Sequence, residues 1–271
     1  MATAEGALSE VGAVAVQLAG AFVLRPYVFG FVAIFLLAGW RDLGLPRTVS
    51  FLVWGNTVAL VAELSSTRIG VPFGLYHYTG ATRSSELFIS NVPLFSPLSF
   101  PFLAYAGFCV ARKALGPGWA ATRTARVRTV LLSGALMTLL DVVIDPLAVR
   151  GGRWFLGHIF YYPDGGIYFG VPLSNFLGWL LVGWVTVGGY VWAVDRREPG
   201  APGLGIVLFG LVLAVNLAVT VWIGELRIAA VGIVVHAATF LLLYGVNRVT
   251  VGRWLAEPIS TPAVSGGGPT R

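Results

Sequence analysis

"TVLLSGALMTLLDVVIDPLAV", residues 129–149, is an apolar run that ends on two carboxylates, Asp141 and Asp145. About 20 apolar residues cross roughly 30 Å of hydrocarbon as a helix, and residues four apart share one helical face. The stretch reads as a transmembrane helix with paired acids near one end, where an anion is expensive to keep. The whole chain agrees. Of 271 residues, 56% are hydrophobic and 11% charged, with a mean hydropathy of +0.81. A soluble domain carries about a quarter charged residues, so the chain reads as an integral membrane protein.

Seven apolar runs are long enough to be predicted as spans: 22–40, 48–65, 93–112, 127–148, 170–194, 203–223 and 228–247. The expected fold is therefore all-α, a polytopic membrane bundle of about seven transmembrane helices. Residues 1–21 are assigned to an N-terminal interfacial or extended helix, because only Arg25-Pro26 parts the apolar stretch 7–21 from the first span. Residues 22–250 form the transmembrane domain. A C-terminal tail over 251–271, Pro/Gly/Ser-rich from Glu257, is expected to be disordered.

Twelve of the 18 Lys and Arg lie in the ends and loops around 41–47, 112–128, 195–202 and 248–271. Cytoplasmic loops carry the basic excess, which places that side and the C-terminus in the cytoplasm. Glu63, Asp141, Asp145 and Glu225 then all approach the opposite face. The two long loops there, 66–92 and 149–169, are rich in Gly, Pro, Tyr and His. A Gly-Val-Pro occurs at 70–72 and again at 170–172, each after a span bearing an acid, an echo that raises a duplicated two-helix unit.

Asp141 is the leading candidate for chemistry. It lies inside the hydrocarbon end of its helix, near a C-terminus whose dipole disfavours an anion. Those effects favour the neutral acid unless a cation is near, and the plain alternative is an ion pair with Arg150 or Arg153. Asp145 precedes Pro146 and can equally be the N-cap of a short new helix. Glu63, on an apolar span, ranks beside Asp141. Glu225 in "IGELR" reads as a surface pair with Arg227. Asn216 and His236 lie near the middles of spans, where hydrogen bonding between helices is the common use. Asn175, just inside span five, faces the acids and can orient a carboxylate or a water. The aromatics around the acids, among them Tyr76, Tyr78, Trp154, Tyr161, Tyr162, Tyr168, Phe169 and Trp179, exceed what interfacial anchoring needs. Aromatic faces beside a buried acid can shelter a carbocation, so these eight are the candidate substrate-binding residues.

Several classes are excluded by what is missing. No basic stripe with interleaved aromatics points to nucleic acid. Cys109 is the one cysteine, so neither a disulfide framework nor a cysteine metal cluster is available. No HExxH or close His pair marks a metal site. "MATAEGALSE" at the N-terminus lacks the basic n-region of a cleaved signal peptide.

The stretches "AELSSTRIGVPFGLYHYTG" (62–80), "DVVIDPLAV" (141–149) and "YFGVPLSNFLGW" (168–179) resemble the membrane-embedded carotenoid hydratases of the CruF type, within the carotenoid biosynthesis proteins. The resemblance runs from about Leu24 to about Arg248. It implies addition of water to the terminal double bond of an acyclic (ψ) carotenoid end group, a 1',2'-hydration giving a tertiary alcohol. The implied substrate is acyclic or monocyclic, of lycopene or γ-carotene type. The implied enzyme needs no cofactor or metal, sits in the cell membrane, and has the lipid bilayer and neighbouring carotenoid-pathway enzymes as surroundings. Glu63, Asp141, Asp145 and Asn175 lie in the shared motifs and are the expected catalytic residues. Their roles come from physics: one carboxylic acid protonates the alkene, aromatic faces steady the cation, and a second carboxylate or Asn175 positions water.

Three alternatives stand beside this expectation. A membrane prenyltransferase would use Asp-x-x-x-Asp to hold Mg²⁺ and a diphosphate. A lycopene cyclase would share the proton-initiated start and end in ring closure. A proton-coupled transporter would use the acids and His236 as a relay.

Overall fold

The computed structural model describes residues 2–193 and 200–256, with side chains described over 11–193 and 200–245. Among the described residues there are eight helices: α1 (Ala2–Leu24), α2 (Pro26–Leu43), α3 (Leu45–Ile69), α4 (Phe95–Leu115), α5 (Arg123–Ala148), α6 (Leu173–Ala193), α7 (Gly203–Trp222) and α8 (Leu226–Ala256). The seven predicted runs fall on α2 to α8. Six of these helices are long and apolar enough to cross a membrane: α2, α3, α5, α6, α7 and the Leu226–Gly245 part of α8. The seventh, α4, sits at the centre of the bundle and packs against α2, α3, α5, α6, α7 and α8. It meets protein along most of its length rather than lipid, so it can carry Ser96, Ser99 and Arg112 and stay in the bundle, with Lys113 exposed at its end. Residues 2–24 form α1. α8 runs through Ala256 into the stretch assigned to a tail, and residues 257–271 lie outside the described residues.

The outward faces are apolar. Val53, Leu177, Leu181, Val207, Leu211, Leu241 and Leu242 are exposed, which water would penalise and lipid tails do not. Inside, small residues bring the helices together. A Cβ on Gly134 of α5 would meet Trp184 Cδ1 at 2.4 Å, and one on Gly183 of α6 would meet Gly134 Cα at 2.9 Å. This contact sets the register of two antiparallel helices. Asp141 lies seven residues beyond Gly134 and Asn175 eight before Gly183, each about 10–12 Å along its axis. The crossing therefore carries the acids of α5 and the amide of α6 to the same level.

The same end is capped by the two long loops. Strand β1 (His77–Tyr78) pairs antiparallel with β4 (Phe160–Tyr161), and β2 (Phe88–Ile89) with β3 (Val92–Pro93). The two Gly-Val-Pro segments pack side by side. A Cβ on Gly74 would lie 2.6 Å from Ser174 Oγ, and one on Gly178 would lie 2.9 Å from the Pro72 carbonyl carbon. They are not equivalent positions of a repeat, because the first follows α3 directly while the second precedes α6. The echo is a packing contact.

Two buried ion pairs hold opposite ends. Arg25, between α1 and α2, donates to Glu86 Oε1 at 2.9 Å and to the Leu156 carbonyl at 2.6 Å. At the other end Arg112 donates to Asp42 at 2.6 Å and to the Gly200 carbonyl at 2.8 Å, and Tyr105 donates to Asp42 at 3.0 Å. Both arginines are buried, although each lies at a helix end.

Candidate active site

α5 continues through Pro146 to Ala148, so Asp145 lies in its last turn and is not an N-cap. Proline has no N–H, which frees the carbonyl four residues earlier. The Tyr168 hydroxyl donates to that carbonyl, Val142 O, at 3.2 Å. Asp141 is fully buried and Asp145 faces inward beside it. One Asn175 amide nitrogen donates to Asp141 Oδ2 at 2.8 Å and to Asp145 Oδ2 at 2.6 Å. Trp179 Nε1 donates weakly to Asp145 at 3.4 Å, and Asp141 Oδ1 has no partner among the described residues.

No cation compensates these acids among the described residues. Arg150 and Arg153 pair with Glu225, Arg150 at 3.0 Å. The expected Glu225–Arg227 pair is therefore replaced, and the ion-pair alternative for Asp141 falls with it. Two carboxyl groups sharing one donor, with no cation beside them, would repel each other if both were charged.

A third carboxyl group borders the same space as Asp145. Glu63, near the end of α3 and buried, accepts from Ser96 Oγ at 2.6 Å and from the Tyr78 hydroxyl at 3.2 Å. Tyr78 also donates to Ser96 at 2.7 Å. Glu63 and Asp145 line one chamber with about 140 Å³ of free volume. That is some tenfold the space one water needs, and the walls are mostly aromatic and aliphatic. Trp179 stacks on Phe100 with centroids 4.3 Å apart, and Tyr76, Tyr78, Phe160 and Tyr162 cluster edge to face. α2, α4 and α7 supply the apolar remainder, including Phe31, Phe102, Leu103, Val212 and Val215. No Lys or Arg lines the chamber among the described residues. Burial pushes the phenols of Tyr76, Tyr78 and Tyr162 well above the usual range, so these loop tyrosines remain neutral hydroxyls.

Of the expected residues, Glu63, Asp145, Asn175, Tyr76, Tyr78, Trp154, Tyr162 and Trp179 border this chamber. Asp141 stands behind Asp145, reached through Asn175. Tyr161, Tyr168 and Phe169 lie outside it. The strand pleat turns alternate residues to opposite sides: Phe160 and Tyr162 face in, while Tyr161 turns out beside His77. Tyr168 is occupied by the Val142 carbonyl. Phe169, at φ +50, offers its own carbonyl to Arg150 at 2.7 Å. Asn216 and His236 bond back within their own helices, to Val212 and Gly232. Neither bridges helices as expected.

The sequence profile of the carotenoid biosynthesis proteins matches residues 20–247. The chain belongs to the carotenoid biosynthesis protein family. Bisanhydrobacterioruberin hydratase of Haloarcula japonica is 32% identical over 197 residues, 69% of this chain and 62% of that relative. The chain thus spans less than two-thirds of the relative's length. No solved structure matches it. In this family member, the site residues that sequence reasoning missed are Ser96 and the α2, α4 and α7 walls. The Ser96–Glu63 hydrogen bond spans 33 residues of sequence, and the walls join the acids only around one space, so no local spacing announces them.

Proposed function

We propose that this protein is a carotenoid hydratase that adds water to the terminal 1',2' double bond of an acyclic ψ end group. The carrying observation is two uncharged-lined carboxyl stations, Asp145 with Asn175 and Glu63 with Ser96 and Tyr78, facing one aromatic chamber. The relative's name as a hydratase supports the reaction class.

In this mechanism the Asp141–Asp145 pair is the acid and Asp145 its delivering member, because Asp145 meets the chamber and Asp141 does not. Its proton adds to the less substituted alkene carbon, leaving a tertiary cation whose charge the Trp179, Phe100 and tyrosine faces lower. A water oxygen then forms the C–O bond, and its excess proton passes to Glu63. One proton leaves the Asp pair and one arrives at Glu63, so exchange through water resets the site with no change of oxidation state. Each positioned acid or base is worth about 10²–10⁴-fold.

The substrate is a lycopene- or γ-carotene-type pigment, entering from the cell membrane with its end group between α2, α4 and α7. The acids face the non-cytoplasmic side and the C-terminus the cytoplasm, as the basic-residue balance supports. A diphosphate substrate fits poorly, because the chamber offers no Lys or Arg and the Asn175 amide occupies the space between the two Asp carboxyls where Mg²⁺ would bridge. Expression in a lycopene- or γ-carotene-producing host tests the assignment. Chromatography and mass measurement are expected to find the mass of one added water, with activity surviving EDTA. A product of unchanged mass with a new ring would instead make it a cyclase, and unchanged pigment would remove the hydratase reading.

A further inference from the structure

Tyr162 stands on the wall between two spaces. On one side is the chamber with Glu63 and Asp145; on the other is an open depression on the outer surface, edged by Val149, Arg150, Tyr161, Ile167, Phe169 and Gly170. Tyr162 borders both and is itself buried. Its ring is fixed from the chamber side by Tyr76 and Phe160, each with centroids 5.8 Å away. Its hydroxyl finds no hydrogen-bond partner among the described residues, unlike Tyr78, Tyr105 and Tyr168, whose hydroxyls all donate. A phenol hydroxyl that has no protein partner and is not sealed from the spaces beside it is free to hold water. The acids Asp145, Asp141 and Glu63 and the Tyr78 hydroxyl all act on it electrostatically.

The depression is a firm frame. Arg150 donates from Nη1 to the Pro146 and Phe169 carbonyls and pairs through Nε with Glu225, so it is a strut of the frame. The 162–171 turn is closed by Gly165 N to Tyr162 O at 3.1 Å and by Val171 N to Tyr168 O at 2.9 Å. A Cβ on Gly166 would lie 1.9 Å from the Val171 carbonyl carbon, so the turn cannot swell inward.

We infer that water reaches the chamber from this outer depression past Tyr162, and that the Tyr162 hydroxyl holds the attacking water between the two carboxyl stations. The inference rests on the hydratase reading. It makes Tyr162 a catalytic residue for the second half of the reaction, capture of the cation, and leaves the first half, protonation, to the Asp pair. A cation not captured loses a proton and re-forms an alkene. In D₂O, loss of a protium in place of the deuteron just added leaves deuterium in unhydrated carotenoid.

Deuterium exchange into unhydrated carotenoid and hydration, measured together on the full-length protein in liposomes, give the test. Tyr162→Phe keeps the ring and removes the hydroxyl. Hydration is expected to fall roughly tenfold, the loss of one hydrogen bond, with the carotenoid KM unchanged and the exchange-to-hydration ratio raised. Ile167→Cys, on the rim and 84% exposed, is then modified with a bulky charged methanethiosulfonate; the native Cys109 is buried. Modification is expected to raise the same ratio. Equal losses of exchange and hydration in Tyr162→Phe, or an unchanged ratio after modification of residue 167, would overturn the inference while leaving the hydratase reading intact. Absence of hydrated product from the wild-type protein would overturn the hydratase reading itself.

Discussion

Asp145 touches the chamber and Asp141 stands behind it, so their amides should not be equivalent. Asp145→Asn removes the delivering acid and is expected to lower hydration by about 10²–10⁴-fold. Asp141→Asn leaves Asp145 and Asn175 in place and is expected to cost clearly less; initial rates in matched membrane preparations check the order. An inverted order would make Asp141 the donor and require a rearrangement that opens it to the chamber. Glu63→Gln is expected to lower hydration by a similar 10²-fold or more while deuterium exchange persists, because protonation precedes the step Glu63 serves. The acids were legible in the sequence because a carboxylate in an apolar run is energetically conspicuous. Which one meets the substrate was not legible. That depends on Asn175, 34 residues away from Asp141, and on the turn of α5.

At the level of elements, the register between α5 and α6 and the clamp on the capping loops carry the site. Arg25 and Glu86 are each 1% exposed and lie between the α1–α2 junction and the loops. Removing one partner leaves a buried charge, so Arg25→Met is expected to destabilise by about 3–5 kcal/mol. The double variant Arg25→Met/Glu86→Leu, which removes both charges, is expected to recover most of it. Thermal unfolding in detergent reads both. A double variant no better than the single would mean that the Leu156 carbonyl and the Phe95 face, 4.5 Å from the guanidinium, matter more than the charge pair. The helices themselves were legible from apolar length alone. The pairing of Arg25 and Arg112 was not legible, since a flanking Arg and a buried paired Arg look the same until the acidic partner 61 or 70 residues away is brought to it.

Seen as a whole, the bundle has one polar, capped end bearing the chamber and an opposite end tied by Asp42–Arg112. α4, the least lipid-like helix, forms its axis, which hydropathy alone undervalues because it assumes that every span meets lipid. The proposed topology, which rests on the basic-residue balance, has the capped end outside the cytoplasm, so Ile167→Cys in intact cells is expected to react with a membrane-impermeant thiol reagent; reaction only after the membrane is opened would reverse the topology. The central claim is that this end adds water to a carotenoid alkene. The most direct measurement is the origin of the new oxygen, with the protein supplied a ψ-ended carotenoid in ¹⁸O-labelled water and, separately, under ¹⁸O₂. The account expects a hydrated product carrying ¹⁸O from water and none from O₂; label arriving from O₂, or no oxygen gained at all, would contradict it.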